Sequence, residues 1–323
     1  MADTILVTGG AGYIGASLCR ELLSAGHEVR ALDSLLHNQQ QVAADLVSAG
    51  VDLHQADLRD DDARAKAIKG ADVVVHLAAI VGDPACARDP KESGDVNVKG
   101  SQRVVADAAA AGVGRMIFAS TCSNYGRMSD PTVPVTEEGE LAPVSLYAEQ
   151  KVGIEQALLS GGHGDLKPTC LRFATVYGVA PRMRFDLTVN EFTRDLYEDK
   201  ALEVFGEQFW RPYVHVADAG RGVATVIASD PDKVAGEVFN VGRSGENYRK
   251  LDLVNEIQKV VDTGEVSYVK RDEDPRDYKV SFDKIKAVLG FETNQTVPTG
   301  IAEIVENLKA GTFGDTADPK YRN

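Results

Sequence analysis

The sequence lacks several features that mark particular classes of protein. Among its 323 residues, no apolar run approaches the length of about 18 residues that a membrane-spanning helix needs. The chain enters TILVTGG at residues 4–10 with no basic stretch before it, so we expect no signal peptide and a cytoplasmic location. It has no internal repeat and no low-complexity tract. Its 43% hydrophobic and 26% charged content is that of a globular protein with a sizeable core.

Basic residues and cysteines are also scarce. The chain has 35 Lys and Arg against 49 Asp and Glu, which gives a formal charge of −14. This acidic balance disfavours nucleic acid and anionic membranes as partners. The four cysteines, at positions 19, 86, 122 and 170, are far apart and form no CxxC motif. We therefore expect neither a disulfide nor a metal site, and the composition fits a reducing compartment.

Strand-like and helix-like segments alternate through the first half of the chain. Six apolar stretches are predicted as strands, at 3–8, 27–33, 51–58, 71–79, 114–121 and 167–178. Helical spacing of apolar residues fills the intervals, as in 95–112 and around 145–160. This alternation predicts an α/β fold with a doubly wound parallel sheet and helices on both faces.

The rhythm changes after residue 178. We expect a first domain over 1–178, to which 213–240 returns, and a smaller C-terminal α/β domain made of 179–212 and 241–323. The polar tail that begins at Gly311 is expected to be loosely ordered.

A glycine-rich stretch, TGGAGYIG at residues 8–15, follows the first predicted strand and opens a helix. In a dinucleotide site, Gly9 would permit the tight turn, Gly12 would let the backbone approach a pyrophosphate, and Gly15 would let the helix meet the strand. The helix start, with Tyr13 and Ile14, offers free N–H groups to the phosphates. Any turn between a strand and a helix can use glycine, so the stretch alone leaves that alternative open.

An acidic residue favours the dinucleotide interpretation. Asp33 ends the second predicted strand, 18 residues after Gly15, where a carboxylate would accept hydrogen bonds from a ribose. A carboxylate repels a 2′-phosphate, and no Arg or Lys lies between Asp33 and Asp45, so we expect NAD rather than NADP. Asp57 and Leu58, after the third strand, are candidates for the adenine edge, with an exposed turn as the alternative.

A second group of residues is suited to proton transfer. Tyr147 and Lys151 are four residues apart on a predicted helix and therefore share a face. A nearby ammonium stabilises a phenolate, which lowers the tyrosine pKa and lets the phenol exchange a proton with a sugar hydroxyl. Thr121, at the end of the preceding strand, could hydrogen-bond the same oxygen. Alone, a YxxxK pair is more often an exposed helix face.

Together the motifs resemble the extended short-chain dehydrogenase/reductases, and among them the nucleotide-sugar epimerase/dehydratase branch that includes UDP-glucose 4-epimerase-like proteins. The resemblance covers essentially the whole chain. Besides the segments above, it rests on HLAA at 76–79, STCSNYG at 120–126, LRFATVYG at 171–178 and RPYVHVAD at 211–218.

The resemblance implies roles for individual residues. Thr121 would hydrogen-bond the sugar oxygen, Tyr147 would be the acid/base, and Lys151 would hold the nicotinamide ribose and tune Tyr147. The cofactor would also be contacted by Leu77, Ala78, Ala79 and Ser120. The diphosphate of the substrate would be bound by Asn190 and Arg211, and the nucleotide would lie near Arg271 and Asp274. Thr175, which replaces the usual asparagine, would contact the sugar or a phosphate. Arg182 and Arg184 are further phosphate candidates, with solvated loop arginines as the alternative. A homodimer through helices around 97–111 and 147–160 is also implied.

Departures from the family pattern narrow the reaction. Dehydratases of this branch carry an Asp-Glu pair after the threonine, whereas this chain has Cys122 and Ser123. We therefore expect a nucleoside-diphosphate-sugar 4-epimerase that works by transient oxidation at carbon 4. The alternatives are a 4-keto-sugar reductase or dehydrogenase for a deoxysugar or heptose nucleotide, and a non-catalytic dinucleotide-binding protein. Cys86 either faces the sugar or is a packed thiol.

Overall fold

The computed structural model describes residues 2–128, 130, 133–270 and 276–323. The strands of the described chain are β1 (Thr4–Thr8), β2 (Glu28–Asp33), β3 (Asp52–Gln55), β4 (Val73–His76), β5 (Arg115–Thr121), β6 (Lys167–Phe173), β7 (Thr175–Tyr177), β8 (Leu202–Phe205), β9 (Trp210–His215), β10 (Val238–Val241), β11 (Asn247–Arg249) and β12 (Val266–Val269). Seven of them form a parallel sheet in the order β10-β6-β5-β4-β1-β2-β3. The predicted Rossmann-type α/β fold is confirmed.

Helices connect the strands and cover the sheet. They are α1 (Tyr13–Ser24), α2 (Gln40–Ala49), α3 (Asp61–Ile68), α4 (Asp83–Arg88), α5 (Pro90–Ser93), α6 (Ser101–Ala110), α7 (Leu146–Leu159), α8 (Thr188–Tyr197), α9 (Val216–Ala228), α10 (Pro231–Val234), α11 (Lys250–Gln258), α12 (Asp283–Leu289) and α13 (Val297–Lys309). Within the described ranges, no helix combines the length and the apolar character needed to cross a membrane.

The sheet is buried on both faces, which explains its apolar strands. Successive side chains of a strand point to opposite faces, so Ile5 and Val7 of β1 pack in one core while Leu6 packs in the other. Both cores continue under β4, where Val75 joins the first and Val74 the second. A strand covered on both sides reads as a continuous apolar run, as predicted for this region.

Two predicted elements are divided in the structure. The strand expected over 167–178 is interrupted at Ala174, and its second part, β7, leaves the large sheet to join a three-stranded sheet ordered β11-β9-β7. The helix expected over 95–112 begins as a π-helical turn, Gly94–Gly100, before α6. A third sheet pairs β8 with β12. The proposed division into a cofactor domain and a substrate domain stays a prediction.

The tail is where the sequence-based expectation was wrong. Residues after α13 fold back onto the protein and end in a 3-10 turn, Pro319–Tyr321. The ring of Phe313 is only 7% exposed, and it packs against Phe185 with ring centroids 5.1 Å apart. Aromatic side chains anchor this tail, and its many polar residues concealed that anchor in the sequence.

Candidate active site

A cavity of about 720 Å³ opens at the carboxyl ends of the large sheet. In doubly wound folds this edge holds the ligand, where the strand order reverses between β1 and β4. Among the cavity-lining residues are most of those predicted from the sequence: Gly9, Gly12, Tyr13, Ile14, Gly15, Asp33, Asp57, Leu58, Leu77, Ala78, Ala79, Ser120, Thr121, Tyr147, Lys151 and Thr175. Segments far apart in the sequence therefore meet in one cavity.

The glycine-rich turn forms a cradle that side chains would fill. A Cβ atom on Gly15 would lie 2.1 Å from the carbonyl oxygen of Gly9, and one on Gly9 would lie 2.9 Å from the backbone nitrogen of Ala78. Helix α1 starts beside this turn, and its N-cap residue, Gly12, has no side chain to bond the first N–H groups. Backbone donors without a cap are suited to a pyrophosphate, so the turn fits a dinucleotide.

The position of Asp33 at the end of β2 is set by two backbone groups. Its Oδ2 accepts the N–H of Ala11 at 3.0 Å, and its Oδ1 accepts the N–H of Leu35 at 2.9 Å. Burial raises the pKa of the Asp33 carboxyl, while these backbone bonds and Arg182 oppose that shift. Each oxygen keeps acceptor capacity beyond its backbone bond, which is what a ribose diol requires.

Thr121, Tyr147 and Lys151 all line the cavity. Lys151 Nζ donates to the carbonyl oxygen of Ala119 at 2.8 Å and lies 5.9 Å from the centre of the Tyr147 ring. Thr121 Oγ1 accepts the N–H of Ser123 at 3.1 Å, so its own hydroxyl hydrogen can be donated elsewhere. The cavity wall therefore presents a hydroxyl donor, a phenol and an ammonium.

The electrostatics of Tyr147 differ from the expectation. Burial, with Cys86 and Asp83 adding to it, raises the pKa of the Tyr147 phenol, and Arg184 acts in the opposite direction. Burial also lowers the pKa of the Lys151 ammonium to about 8. The net shift of Tyr147 is upward, opposite to the one expected from the YxxxK spacing, because burial dominates and the ammonium of Lys151 is directed at a backbone carbonyl.

The amide of Asn190, which was predicted to contact the diphosphate, is bonded within the protein. Its side chain is fully buried and is not part of the cavity wall. Its Nδ2 donates to the carbonyl oxygen of Arg184 at 2.8 Å and to the Tyr13 hydroxyl at 3.1 Å, and its Oδ1 accepts the N–H of Gly178 at 2.9 Å. Asn190 thus holds the loop after β7 in place and cannot reach a diphosphate without losing these bonds.

The arginines predicted to contact phosphate differ in how they lie relative to the cavity. Arg182 and Arg184 line the cavity and are 5% and 8% exposed, so they are not solvated loop residues. Arg211 is buried beside the wall, with its guanidinium 5.5 Å from the ring centre of the cavity-lining Tyr278. Arg271 and Asp274 lie outside the described residues.

Asp83 and Arg276 are cavity residues that the sequence analysis missed. Asp83 Oδ1 accepts the hydroxyl of Ser145 at 2.6 Å, and its Oδ2 accepts Nη1 of Arg276 at 2.9 Å. Ser145 is the N-cap of α7, the helix that carries Tyr147. Asp83 therefore ties the catalytic helix candidate to the C-terminal part of the chain. No local signal joins two residues separated by 193 positions.

The π-helical turn is bonded to Ile80, a residue of the cavity wall. Asn97, in this turn, accepts the N–H of Ile80 at 2.8 Å and donates to the carbonyl oxygen of Ile80 at 2.9 Å and to Oε1 of Gln150 at 2.8 Å. Cys86 is fully buried below the same loop, with its Sγ 3.3 Å from the carbonyl oxygen of Ile80. This is the packed-thiol alternative. Cys122 is also buried, whereas Ser123 lines the cavity.

A doubly wound sheet that presents a glycine cradle, a ribose carboxylate and a Thr, Tyr and Lys set in one cavity defines a dinucleotide-dependent enzyme. The chain belongs to the NAD dependent epimerase/dehydratase family, whose sequence model matches residues 5–242.

Individual relatives agree with this assignment. The chain is 31% identical over 318 residues to a UDP-glucose 4-epimerase of Rhizobium meliloti (strain 1021), which covers 90% of this chain and 92% of that protein. The structure resembles the UDP-glucose 4-epimerase of Thermus thermophilus in complex with NAD, with a TM-score of 0.83, 26% identity and coverage of 95% of this chain and 99% of that one. It resembles the dTDP-glucose 4,6-dehydratase of Streptomyces venezuelae, solved with NAD, with a TM-score of 0.85, 27% identity and coverage of 97% and 99%. The protein is an NAD-dependent nucleotide-sugar enzyme.

Replacing Gly15 with alanine should weaken NAD binding. The new methyl group would meet the Gly9 carbonyl, so α1 must shift away from the turn at an expected cost of about 1–3 kcal/mol. We expect the free energy of unfolding to fall by that amount and the NAD affinity to fall about tenfold, since 1.4 kcal/mol corresponds to tenfold in affinity. Urea unfolding and calorimetric NAD titration measure the two effects.

Gly153→Ala is the matched control. Gly153 also lies inside a helix, but a Cβ atom there would meet nothing within 4 Å. Alanine should therefore stabilise α7 by up to about 1 kcal/mol and leave NAD binding unchanged. Equal NAD affinity in the Gly15→Ala and wild-type proteins would contradict the cradle.

Proposed function

We propose that the protein is a nucleoside-diphosphate-sugar 4-epimerase that works by transient oxidation at carbon 4. The observation that carries the proposal is the cavity wall after Thr121. Ser123 stands there in place of a carboxylate, and Cys122 is buried behind it. The acid and base of the elimination catalysed by the dehydratase branch are absent from these positions, whereas Thr121, Tyr147 and Lys151 are all present.

In this mechanism Tyr147 moves the proton of the reacting hydroxyl. As the phenolate, its oxygen accepts that proton when carbon 4 is oxidised, and the resulting phenol returns it when the hydroxyl is restored. Thr121 donates a hydrogen bond to the same sugar oxygen and fixes its position. NAD, when bound, supplies the acceptor and donor of the hydride. Lys151, held by the carbonyl of Ala119, orients the nicotinamide ribose and places a positive charge near Tyr147.

The substrate half of the cavity suits an anionic nucleotide. Arg276 and Arg184 are cations on its wall, and Tyr278 with Thr175 provides a flat face and a hydroxyl. We propose that these residues, with Arg211 behind Tyr278, bind the diphosphate and the sugar. Both carboxylate oxygens of Asp83 are bonded, one to Ser145 and one to Arg276. We therefore propose that Asp83 has a structural role and is not an elimination base.

A 4-keto-sugar reductase or dehydrogenase for a deoxysugar or heptose nucleotide is the second candidate. The observation that favours it is Thr175, which lines the cavity where relatives of this branch carry an asparagine. A smaller side chain without an amide changes the wall beside the sugar. The same Thr121, Tyr147 and Lys151 would act, but the cofactor would be consumed.

One experiment separates the two candidates. Purified protein is incubated with UDP-glucose, UDP-galactose and other nucleotide sugars, and products are identified by mass spectrometry and chromatography while absorbance at the nicotinamide band is followed. An epimerase should interconvert a gluco/galacto pair with no net change in absorbance. A stoichiometric change with a 4-keto-sugar nucleotide, and no interconversion, would instead favour the reductase. Ligands that copurify identify the nucleotide.

We also propose a homodimer, packed through the helices around 97–111 and 147–160. Light scattering on the purified protein tests this assembly, and a monomeric mass would overturn it.

A further inference from the structure

The tail returns to the cofactor cavity and is anchored there. We name residues 313–323 the C-terminal strap. The Tyr321 ring packs on Phe185 with centroids 5.4 Å apart, and the Tyr321 hydroxyl donates to the carbonyl oxygen of Phe313 at 2.6 Å. The N–H of Phe185 donates to the carbonyl oxygen of Tyr321 at 2.9 Å. Ring contacts and one backbone hydrogen bond therefore fix the strap to the loop that carries Arg182 and Arg184.

The last residues of the strap belong to the cavity wall. Arg322 and Asn323 line the large cavity together with Asp33 and His37. A second cavity of about 560 Å³ lies between the strap and the loop after β2, which includes His37. Since Asp33 marks the ribose position in this fold, the strap lies over the adenosine half of the site.

Two polar atoms at this place are buried without a hydrogen-bond partner among the described residues. They are Nε of Arg182, a donor, and Oδ1 of Asn323, an acceptor. Arg182 Nη2 already donates to the carbonyl oxygen of Arg322 at 3.1 Å, and the N–H of Asn323 donates to Oδ2 of Asp186 at 3.1 Å. A buried polar atom without a partner costs free energy, so a ligand that supplies partners gains affinity.

We propose that the C-terminal strap and Arg182 are part of the NAD site, where they bond the adenosine ribose or its phosphate and slow the release of the cofactor. The unpartnered donor and acceptor match a phosphate oxygen and a ribose hydroxyl. Arg322 and Asn323 line the cavity, so a cofactor that contacts them would have to break those contacts before it left. Slow release suits a reaction that restores its cofactor at every turnover. Only this last connection rests on the proposed epimerase function.

The test measures release without any sugar nucleotide. Protein loaded with NADH is mixed with excess NAD, and the loss of bound-NADH fluorescence gives the dissociation rate. Tyr321→Ala removes the ring that anchors the strap, and we expect a rate at least about tenfold higher, equivalent to about 1.4 kcal/mol of lost binding. Thr312→Ala, at an exposed position just before the strap, is the matched control and should release NADH at the wild-type rate.

A second variant removes residues 319–323 and keeps the proposal testable if Tyr321→Ala is unstable. It should release NADH at least as fast as Tyr321→Ala, and Arg182→Gln should lie between it and the wild type. Wild-type release from both Tyr321→Ala and the shortened protein would overturn the proposal. Because turnover plays no part, a failure of the epimerase assignment would leave these rates, and their interpretation, unchanged.

Discussion

Tyr147→Phe should abolish nearly all turnover while NAD binding stays close to that of the wild type. The substitution removes one oxygen from a cavity-lining side chain and keeps the ring that packs there. A positioned acid/base contributes about 10²–10⁴-fold to the rate, and we expect a loss of about 10³-fold in kcat. Thr121 and Lys151 remain, but a threonine hydroxyl is too weak a base to replace the phenolate, and Lys151 Nζ is bonded to the carbonyl oxygen of Ala119.

The measurement is kcat for the interconversion together with a calorimetric NAD titration. Tyr197→Phe, which removes a hydroxyl from α8 outside the cavity wall, is the matched control and should leave both quantities unchanged. Turnover of Tyr147→Phe at the wild-type rate would show that another group transfers the proton, and the proposed mechanism would then be wrong.

Glu155→Gln should cause a large loss of stability. Glu155 and Arg172 form an ion pair at 2.5 Å with 1% and 5% of their side chains exposed. Ser120 donates to Oε2 of Glu155 at 2.5 Å, and Arg172 also donates to the hydroxyl of Tyr125 at 2.8 Å. Removing one charge leaves the other buried, which costs about 3–5 kcal/mol.

Urea unfolding measures this loss, and two further variants give it meaning. The double variant Glu155→Leu, Arg172→Met removes both charges, so it should recover much of the lost stability. Lys259→Ala breaks a pair with Glu256 in which the lysine is 65% exposed, and its effect should stay below about 1 kcal/mol. A loss for Glu155→Gln no larger than that of Lys259→Ala would mean that the buried pair does not hold the end of β5.

Local patterns in the sequence predicted many of the residues that line the candidate site. Tyr147 and Lys151 share a helix face at fixed spacing, and Thr121 ends a parallel strand at the edge where ligands bind. The glycine turn and Asp33 follow the same logic, since each belongs to one short segment with one geometry. The fold class follows from the alternation of apolar runs and helical spacing.

What the sequence did not reveal depends on contacts between distant segments. The amide of Asn190 is occupied by the Tyr13 hydroxyl, 177 residues away, so a motif match could not place it. The ion pair of Asp83 depends on Arg276, which lies in the C-terminal part of the chain. The strand breaks at Ala174 because β7 pairs with β9 in a second sheet. Phe313 is buried because its ring packs against Phe185, which is distant in the sequence.

The π-helical turn has a consequence for changes in chain length. A π turn contains one residue more than an α-helical turn, and Asn97, which lies in this turn, bonds both polar backbone groups of Ile80. Because a π turn takes up its extra residue locally, deleting one residue of Gly94–Gly100 would restore regular α-helical bonding and leave the two flanks in nearly the same orientation. The turn would narrow around Asn97, and we expect its bonds to Ile80 to be lost. We therefore expect variants of this enzyme to tolerate substitutions in this segment more readily than single-residue insertions or deletions.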